Sequence, residues 1–436
     1  MSDSQPSTGE GTSQGQVSQE KSYHDAVWRN LRRNYSAHLA HGLLGQTGFR
    51  LINAPTFIPA YVYSLSGSDL AVGIARGLQY FGMFLSPILG ATLIEHRRRV
   101  LPVGFLVGGA MRIQILGIAL AGFLLPEFWA LFAVCAFLGF FGFFLGMQGV
   151  IFSYLISKVI PVQRRGLLLG LRNTLSGITA AAVAYFGGMV LVRENAFGDG
   201  YSATFALAFI LTALGLAMLA FVREPEPPEV LEPARLKDRL RDLPALLRED
   251  RAFTLYFLAR ALATMGRMAV PFYFLYGMSL VAVPEGTALG VLTLSFLASQ
   301  TCTSLLWGWI ADRAGFRLVF LLSLAVWVFA AVLLMHSADL VMLSVSFFIV
   351  GAGLGGFMLS SQNMVLEFGT REGLPMRIAL ANSGAELMGA VGPILGGILA
   401  AAFSYAPVLW VAIGFKLAAI VLVLAFVDEP RWREAV

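Results

Sequence analysis

Apolar runs of about twenty residues or more recur along this 436-residue chain, separated by short polar connections. A run of that length crosses a ~30 Å hydrocarbon core as a helix, and a helix satisfies its backbone N–H and C=O groups internally where no water is available. The strands of a membrane barrel need only about ten residues of alternating polarity. These runs are longer, continuous and rich in Leu, Ala, Gly and Phe. The chain is therefore expected to be all-α and integral to a membrane. Its composition, 57 % hydrophobic and 13 % charged, fits that class and not a soluble domain.

Twelve spans are expected, beginning near Leu39, Leu70, Val100, Phe128, Gly166, Ala203, Phe253, Thr287, Leu318, Leu340, Ile378 and Pro407. Their connections divide by charge. "EHRRRV", "SKVIPVQRRG", the segment from Arg223 to Arg251, "DRAGFR" and "TREGLPMR" are basic, whereas the alternate set holds one basic residue, Arg193. Positive loops stay on the cytoplasmic side, so both termini and the long central loop are expected there. A bacterial inner membrane is expected in the absence of other sorting signals. The net charge of +5 follows from this topology and does not imply a nucleic-acid partner.

The first twenty residues are Ser, Gln, Gly and Thr with no apolar core, so a disordered tail and no cleaved signal are expected. "AVWRNLRRNY" is basic and amphipathic and is expected to lie along the headgroups. The expected divisions are a tail and amphipathic segment over 1–37, a six-helix bundle over 38–222, a cytoplasmic linker over 223–252, a second six-helix bundle over 253–427 and a tail over 428–436.

The two bundles are expected to be copies. Arg50, Ala71 and Gly73 fall on Arg267, Ala288 and Gly290 at one constant shift, and "GFFLGMQ" at Gly142 falls on "GFMLSSQ" at Gly356. Asn173 and Asn382 stand at the same interval before paired glycines, and the halves close on "FVREP" and "FVDEP". An even number of crossings gives both copies one orientation.

From about His38 to Val427 the chain resembles the major facilitator superfamily of secondary transporters. "GWIADRAGFR" matches that superfamily's G-x-x-x-D-R-x-G-x-R signature at Gly308, Asp312, Arg313, Gly315 and Arg317. In the first half "ATLIEHRRRV" is its degenerate mate, with Ala91 at the first glycine and Glu95 at the aspartate. The resemblance implies that these loops stabilise one side of an alternating-access cycle. Chemically, Gly308 is expected to allow close helix approach and Gly315 a sharp turn, with Asp312 accepting bonds from Arg313, Arg317 or nearby helix amides.

Other motifs carry less. No glycine is followed by lysine, so there is no P-loop, and energy is expected from a gradient. "GTSQG" at Gly11 has no strand or helix to form a nucleophile elbow. "GAGLGG" at Gly351 lies inside a span and reads as a packing face. Cys135 and Cys302 read as small buried hydrophobes, and no histidine cluster suggests a metal. No enzyme, cofactor or metal site is expected.

Seven basic residues fall inside the spans, where each costs roughly 2.5–3.5 kcal/mol at mid-depth. Arg50 and Arg267 are nearest the midplane. Arg76, Arg172 and Arg260 are closer to span ends and are expected to snorkel. Arg112 and Lys416 are expected to satisfy polar groups within their bundles. The resemblance places the first and seventh spans around a central cavity, which sets Arg50 and Arg267 on opposite walls. The organophosphate:phosphate antiporter branch is similar in carrying one arginine on each of those helices, which implies an anion-binding role for the pair. Asn53, Gln148 and Gln362 are further candidate substrate contacts. Glu386, the one acidic residue placed deep within a span, is the candidate coupling group.

The expected function is thus alternating-access transport of an organic or phosphorylated anion by a monomer in the lipid bilayer, coupled to protons or to exchange. Two alternatives stand beside it: efflux of hydrophobic or cationic compounds, with structural arginines and Glu386 as the key charge, and a non-transporting sensor or assembly protein.

Overall fold

The computed structural model describes residues 21–227, 247–248, 250–368 and 374–427. The tails expected at the ends, most of the central linker and the "TREG" part of one basic connection lie outside the described residues. Within them the chain is helical. In order the helices are α1 (21–29), α2 (Leu31–Asn53), α3 (Phe57–Ser66), α4 (Asp69–Ile94), α5 (Leu101–Leu124), α6 (Glu127–Val159), α7 (Val162–Phe186, continued by a π-helical turn Gly187–Val192) and α8 (Gly200–Met218). The second half holds α9 (Arg251–Met265), α10 (Tyr273–Leu280), α11 (Glu285–Met335), α12 (Leu340–Asn363), α13 (Leu374–Ala402) and α14 (Tyr405–Phe426).

Nine helices among the described residues are long and apolar enough to cross a membrane, against twelve expected spans. The difference falls at three places. The first span is interrupted after Asn53, because Pro55 has no N–H and drives Ala54 out of the helical region to ψ 148°. The seventh is divided into α9, a 3₁₀ stretch Gly266–Phe272 that contains Pro271, and α10. The eighth and ninth run together as α11, which turns sharply at Gly315 with φ 84° and ψ 165°. That conformation is open to glycine almost alone.

The basic segment before the first span is helical and is tied to the first bundle. Its helix α1 breaks at Asn30 and leads directly into α2, and Tyr23 donates to the Lys158 carbonyl at 3.0 Å. Asn34 donates to the Arg223 carbonyl and accepts from the Arg223 amide, tying the start of the first bundle to its end.

Large apolar side chains such as Leu106, Trp129, Phe140 and Val421 are more than half exposed, as expected of helices surrounded by lipid. Cys135 is half-buried, but Cys302 is exposed, contrary to its expected burial.

The two halves meet along α4 against α13 and α7 against α11. Their side-chain bonds gather toward the end that carries the acidic and neutral connections. Tyr201 donates to Glu285 at 2.5 Å, Tyr405 to Asp69 at 2.8 Å, and the hydroxyls of Thr56 and Thr293 lie 2.6 Å apart. At the basic end the halves are apart. Between Val162 and Leu175 only Leu168 and Arg172 are buried, and α11 exposes Leu305 and Leu306 there. The molecule is closed at one end and splayed at the other.

Candidate functional site

The two broken helices place their interruptions inside the fold, and each break is met by a cation. Arg76 on α4, 5 % exposed, donates to the Ala54 carbonyl at 2.6 Å and to that of Ile52 at 3.5 Å. Lys416 on α14, fully buried, donates to the Gly266 carbonyl at 2.5 Å and sits over the Trp327 ring. Both supply the donor that the next helical turn would have given, and both favour the negative end of the helix they cap. Lys416 thus plays the expected intrabundle role. Arg76 corrects the snorkelling expectation, because its burial and its carbonyl partners fix it within the protein.

Arg260 and Arg172 are likewise buried, at 6 % and 2 % exposed, and do not snorkel. Arg260 donates to the Asn382 side chain at 2.8 Å, a bond between α9 and α13. Arg172 packs over the Phe152 ring. Arg112 donates to the carbonyls of Thr212 and Gly108, within its own bundle as expected.

Arg50 is half-buried. One terminal nitrogen reaches the Asn173 carbonyl at 3.5 Å, while its Nε is buried with no partner. Arg267 belongs to the other half, is also half-buried, and donates to the Tyr80 hydroxyl at 2.6 Å across the division between halves. Its guanidinium lies 4.9 Å from the centre of the Tyr80 ring. Neither arginine forms an ion pair with Glu386 among the described residues. Glu386 is half-buried, with one carboxylate oxygen buried and unpartnered, and the cations that act on it are Arg267 and Arg260.

Between Arg50 and Arg267 runs one face of α4. Arg76, Gln79 and Tyr80 recur at helical spacing, and Gln79 accepts from Arg76 at 2.7 Å while donating to Asn53 at 2.8 Å. Asn53 is exposed and its own amide closes on the Phe49 carbonyl. A polar chain therefore extends from the end of α2 across α4 to Arg267. Gln362 is exposed on α12. Its repeat mate Gln148 is 7 % exposed and lies in the first bundle beside Arg112, so the two amides occupy different surroundings.

The sequence does not single out Tyr80, Gln79 and Arg76 as site residues. Their spacing on one helix face was the available signal, and frequent aromatic residues masked it.

The signature loop departs in part from expectation. Gly315 makes the sharp turn, and Arg317 donates to the Val423 and Leu424 carbonyls at the end of α14. Arg313 stacks over Trp309 at 4.2 Å. Gly308 brings no helix close, since nothing stands within 4 Å of where its Cβ would be, and Asp312 is exposed without a bond among the described residues. With the halves apart at this end, their neighbours are out of reach. Glu95 is half-buried at the end of α4.

Comparison with known proteins bears on this geometry. The family model "Major Facilitator Superfamily" matches residues 44–294 and again 256–435. The chain is 30 % identical over 139 residues to the multidrug resistance protein MdtG of Serratia proteamaculans (strain 568); that alignment covers 32 % of this chain and 33 % of MdtG, so it spans about a third of the relative. Among solved structures, the nucleoside transporter NupG superposes with a TM-score of 0.70 at 15 % identity, covering 90 % of this chain and all of that one. A POT family transporter in complex with 5-aminolevulinic acid gives 0.67 at 12 % identity, covering 90 % and 95 %. At those identities the likeness is one of fold. With the family model spanning both halves, the chain is an integral membrane protein that belongs to the major facilitator superfamily of transporters.

Proposed function

We propose that this secondary transporter moves an organic or phosphorylated anion by alternating access, and that Arg50 and Arg267 hold it. The carrying observation is the imbalance of charge among the side chains near the division between the halves. Arg50, Arg76, Arg260 and Arg267 stand against one acid, Glu386, which has no ion pair within reach among the described residues. Burying several cations without counter-charge is costly, and an anionic ligand relieves that imbalance. Planar guanidinium forks suit carboxylate and phosphate oxygens. The spare Nε of Arg50 and the exposed Asn53 and Gln362 are proposed as further contacts. Glu386 is proposed to carry the coupling proton, competing with the substrate for Arg267. Gln148, buried within the first bundle, is not proposed as a contact.

The positive-inside distribution supports an inner-membrane protein with cytoplasmic termini, two bundles over 38–222 and 253–427, and an opening that faces the cytoplasm. A monomer contains all the residues named. The experiment is a thermal-stability screen of purified protein against phosphorylated and carboxylated metabolites. An anion that raises the melting temperature of the wild type but not of Arg50→Gln or Arg267→Gln supports the reading. Stabilisation only by hydrophobic cations would overturn it in favour of efflux, the reading favoured by the partial match to MdtG.

A further inference from the structure

A second group of buried polar side chains, two of them cationic, lies wholly inside the first bundle. His38 and His41 on α2, Arg112 on α5, Gln148 on α6 and Arg172 on α7 are each 7 % exposed or less. Three of them surround Phe152: the His38 and His41 rings lie 5.6 and 4.9 Å from its ring centre, and the Arg172 guanidinium 4.3 Å. Glycines bring the others in. The Cβ position of Gly45 is 3.7 Å from His41 Nε2 and 3.9 Å from an Arg112 terminal nitrogen, and that of Gly108 is 3.1 Å from Arg112 and 3.2 Å from Gln148 Oε1.

The group is rich in unused polar atoms. All four imidazole nitrogens of His38 and His41 lack a hydrogen-bond partner, as do one terminal nitrogen of Arg112, Nε and a terminal nitrogen of Arg172, and Gln148 Oε1. Both guanidinium groups act on His41, yet among the described residues no carboxylate pairs with either of them. Buried polar groups are ordinarily satisfied, and buried charge is ordinarily paired. Two fixed cations with spare N–H donors and two imidazoles able to donate form a receptor for negative charge. Apart from Gln148, whose repeat mate is Gln362, its members have no counterparts in the second half. Ala381 stands at the repeat position of Arg172, and Leu258 at that of His41.

We propose that His38, His41, Arg112 and Arg172 form a second anion site, enclosed in the first bundle and separate from the Arg50 and Arg267 pair, which takes a small free oxyanion of the phosphate class. Enclosure by α2, α5, α6 and α7 excludes a lipid headgroup, whose acyl chains could not follow it there. Arg172 is placed by Gly42: a Cβ at that position would meet Arg172 Cγ at 2.6 Å and Cδ at 2.8 Å. The site does not depend on what the transporter carries.

Equilibrium binding of radiolabelled inorganic phosphate to the full-length protein, in neutral detergent without added lipid, tests it. Saturable binding is expected in the wild type and in the double variant Arg50→Gln/Arg267→Gln. A loss of roughly tenfold or more is expected when Arg112→Gln or Arg172→Gln is added to that double variant, since a charge-assisted bond contributes ~1.5–3 kcal/mol. Gly42→Ala, which leaves every charge in place but displaces Arg172, is expected to weaken binding as well, and serves if an arginine variant does not fold. Absence of saturable binding to the wild type overturns the proposal. So does binding that disappears in the double variant, or that persists when Arg172→Gln and Gly42→Ala are each added to it.

Discussion

Gly188 is the position where a single carbon should change which end of the molecule is open. It lies in the π-helical turn that continues α7 and faces α11 of the other half. A Cβ there would stand 2.5 Å from Gly290 Cα and 2.6 Å from the Gly286 carbonyl oxygen. Both obstacles are backbone, so no rotamer change relieves them. Ordinary carbon contacts begin near ~3.5 Å, so the two helices would have to separate by about 1 Å. Overpacking of that kind costs about 1–3 kcal/mol, which acts on the closed arrangement alone and corresponds to a population shift of roughly 5- to 150-fold. Spin-label pairs read the outcome in a protein with Cys135 and Cys302 replaced. Labels at the exposed residues Ser64 and Ser404 report the closed end, and labels at Leu167 and Leu305 report the splayed end. In Gly188→Ala the first distance should lengthen and the second shorten. A folded variant with both distance distributions unchanged would show that this contact does not hold the closed end, and the reasoning from backbone proximity would fail.

Substitutions at three further places have definite expectations. Gly315→Ala places a side chain at φ 84° and should lower the melting temperature, by about 1–3 kcal/mol of stability, whereas Gly308→Ala meets nothing and should be neutral or stabilising. Lys158 and Glu224 form a buried pair at 2.5 Å, and Glu224 also accepts from the Val100 and Leu101 amides at the start of α5. Lys158→Met should therefore cost about 3–5 kcal/mol, and adding Glu224→Gln should recover part of the loss, as a double-mutant cycle by denaturation will measure. Arg76→Gln leaves the Ala54 carbonyl at the helix break without its donor and should destabilise by at least about 1–3 kcal/mol, seen as a lower melting temperature even without ligand.

Hydropathy carried the architecture well because it is a local property. Each expected span start, from Leu39 to Pro407, falls within a helix or one residue before its start, as Val100 does before α5. It could not show that the first and seventh spans are broken, since Pro55 and Pro271 reveal a break only when the neighbouring helix that caps it is known. For the same reason depth along the span misjudged Arg76, Arg172 and Arg260. Their partners lie on other helices, and only three-dimensional packing assigns the Ala54 carbonyl, Phe152 and Asn382 to them. The repeat drew attention to Arg50 and Arg267, but residues without a mate, such as His38 and His41, gave no such signal. "FVREP" was visible as a recurring ending, while the capping of α5 by Glu224 within it was not.

The central claim is that two arginines, one from each half, hold an anionic substrate. Uptake by proteoliposomes tests it most directly, with a panel of sugar phosphates and dicarboxylates beside a cationic dye, measured with and without a pH gradient. At least one anion should accumulate, and its uptake should fall roughly tenfold or more in both Arg50→Gln and Arg267→Gln. Normal anion uptake in both variants, with transport abolished only in Glu386→Gln, would contradict the claim.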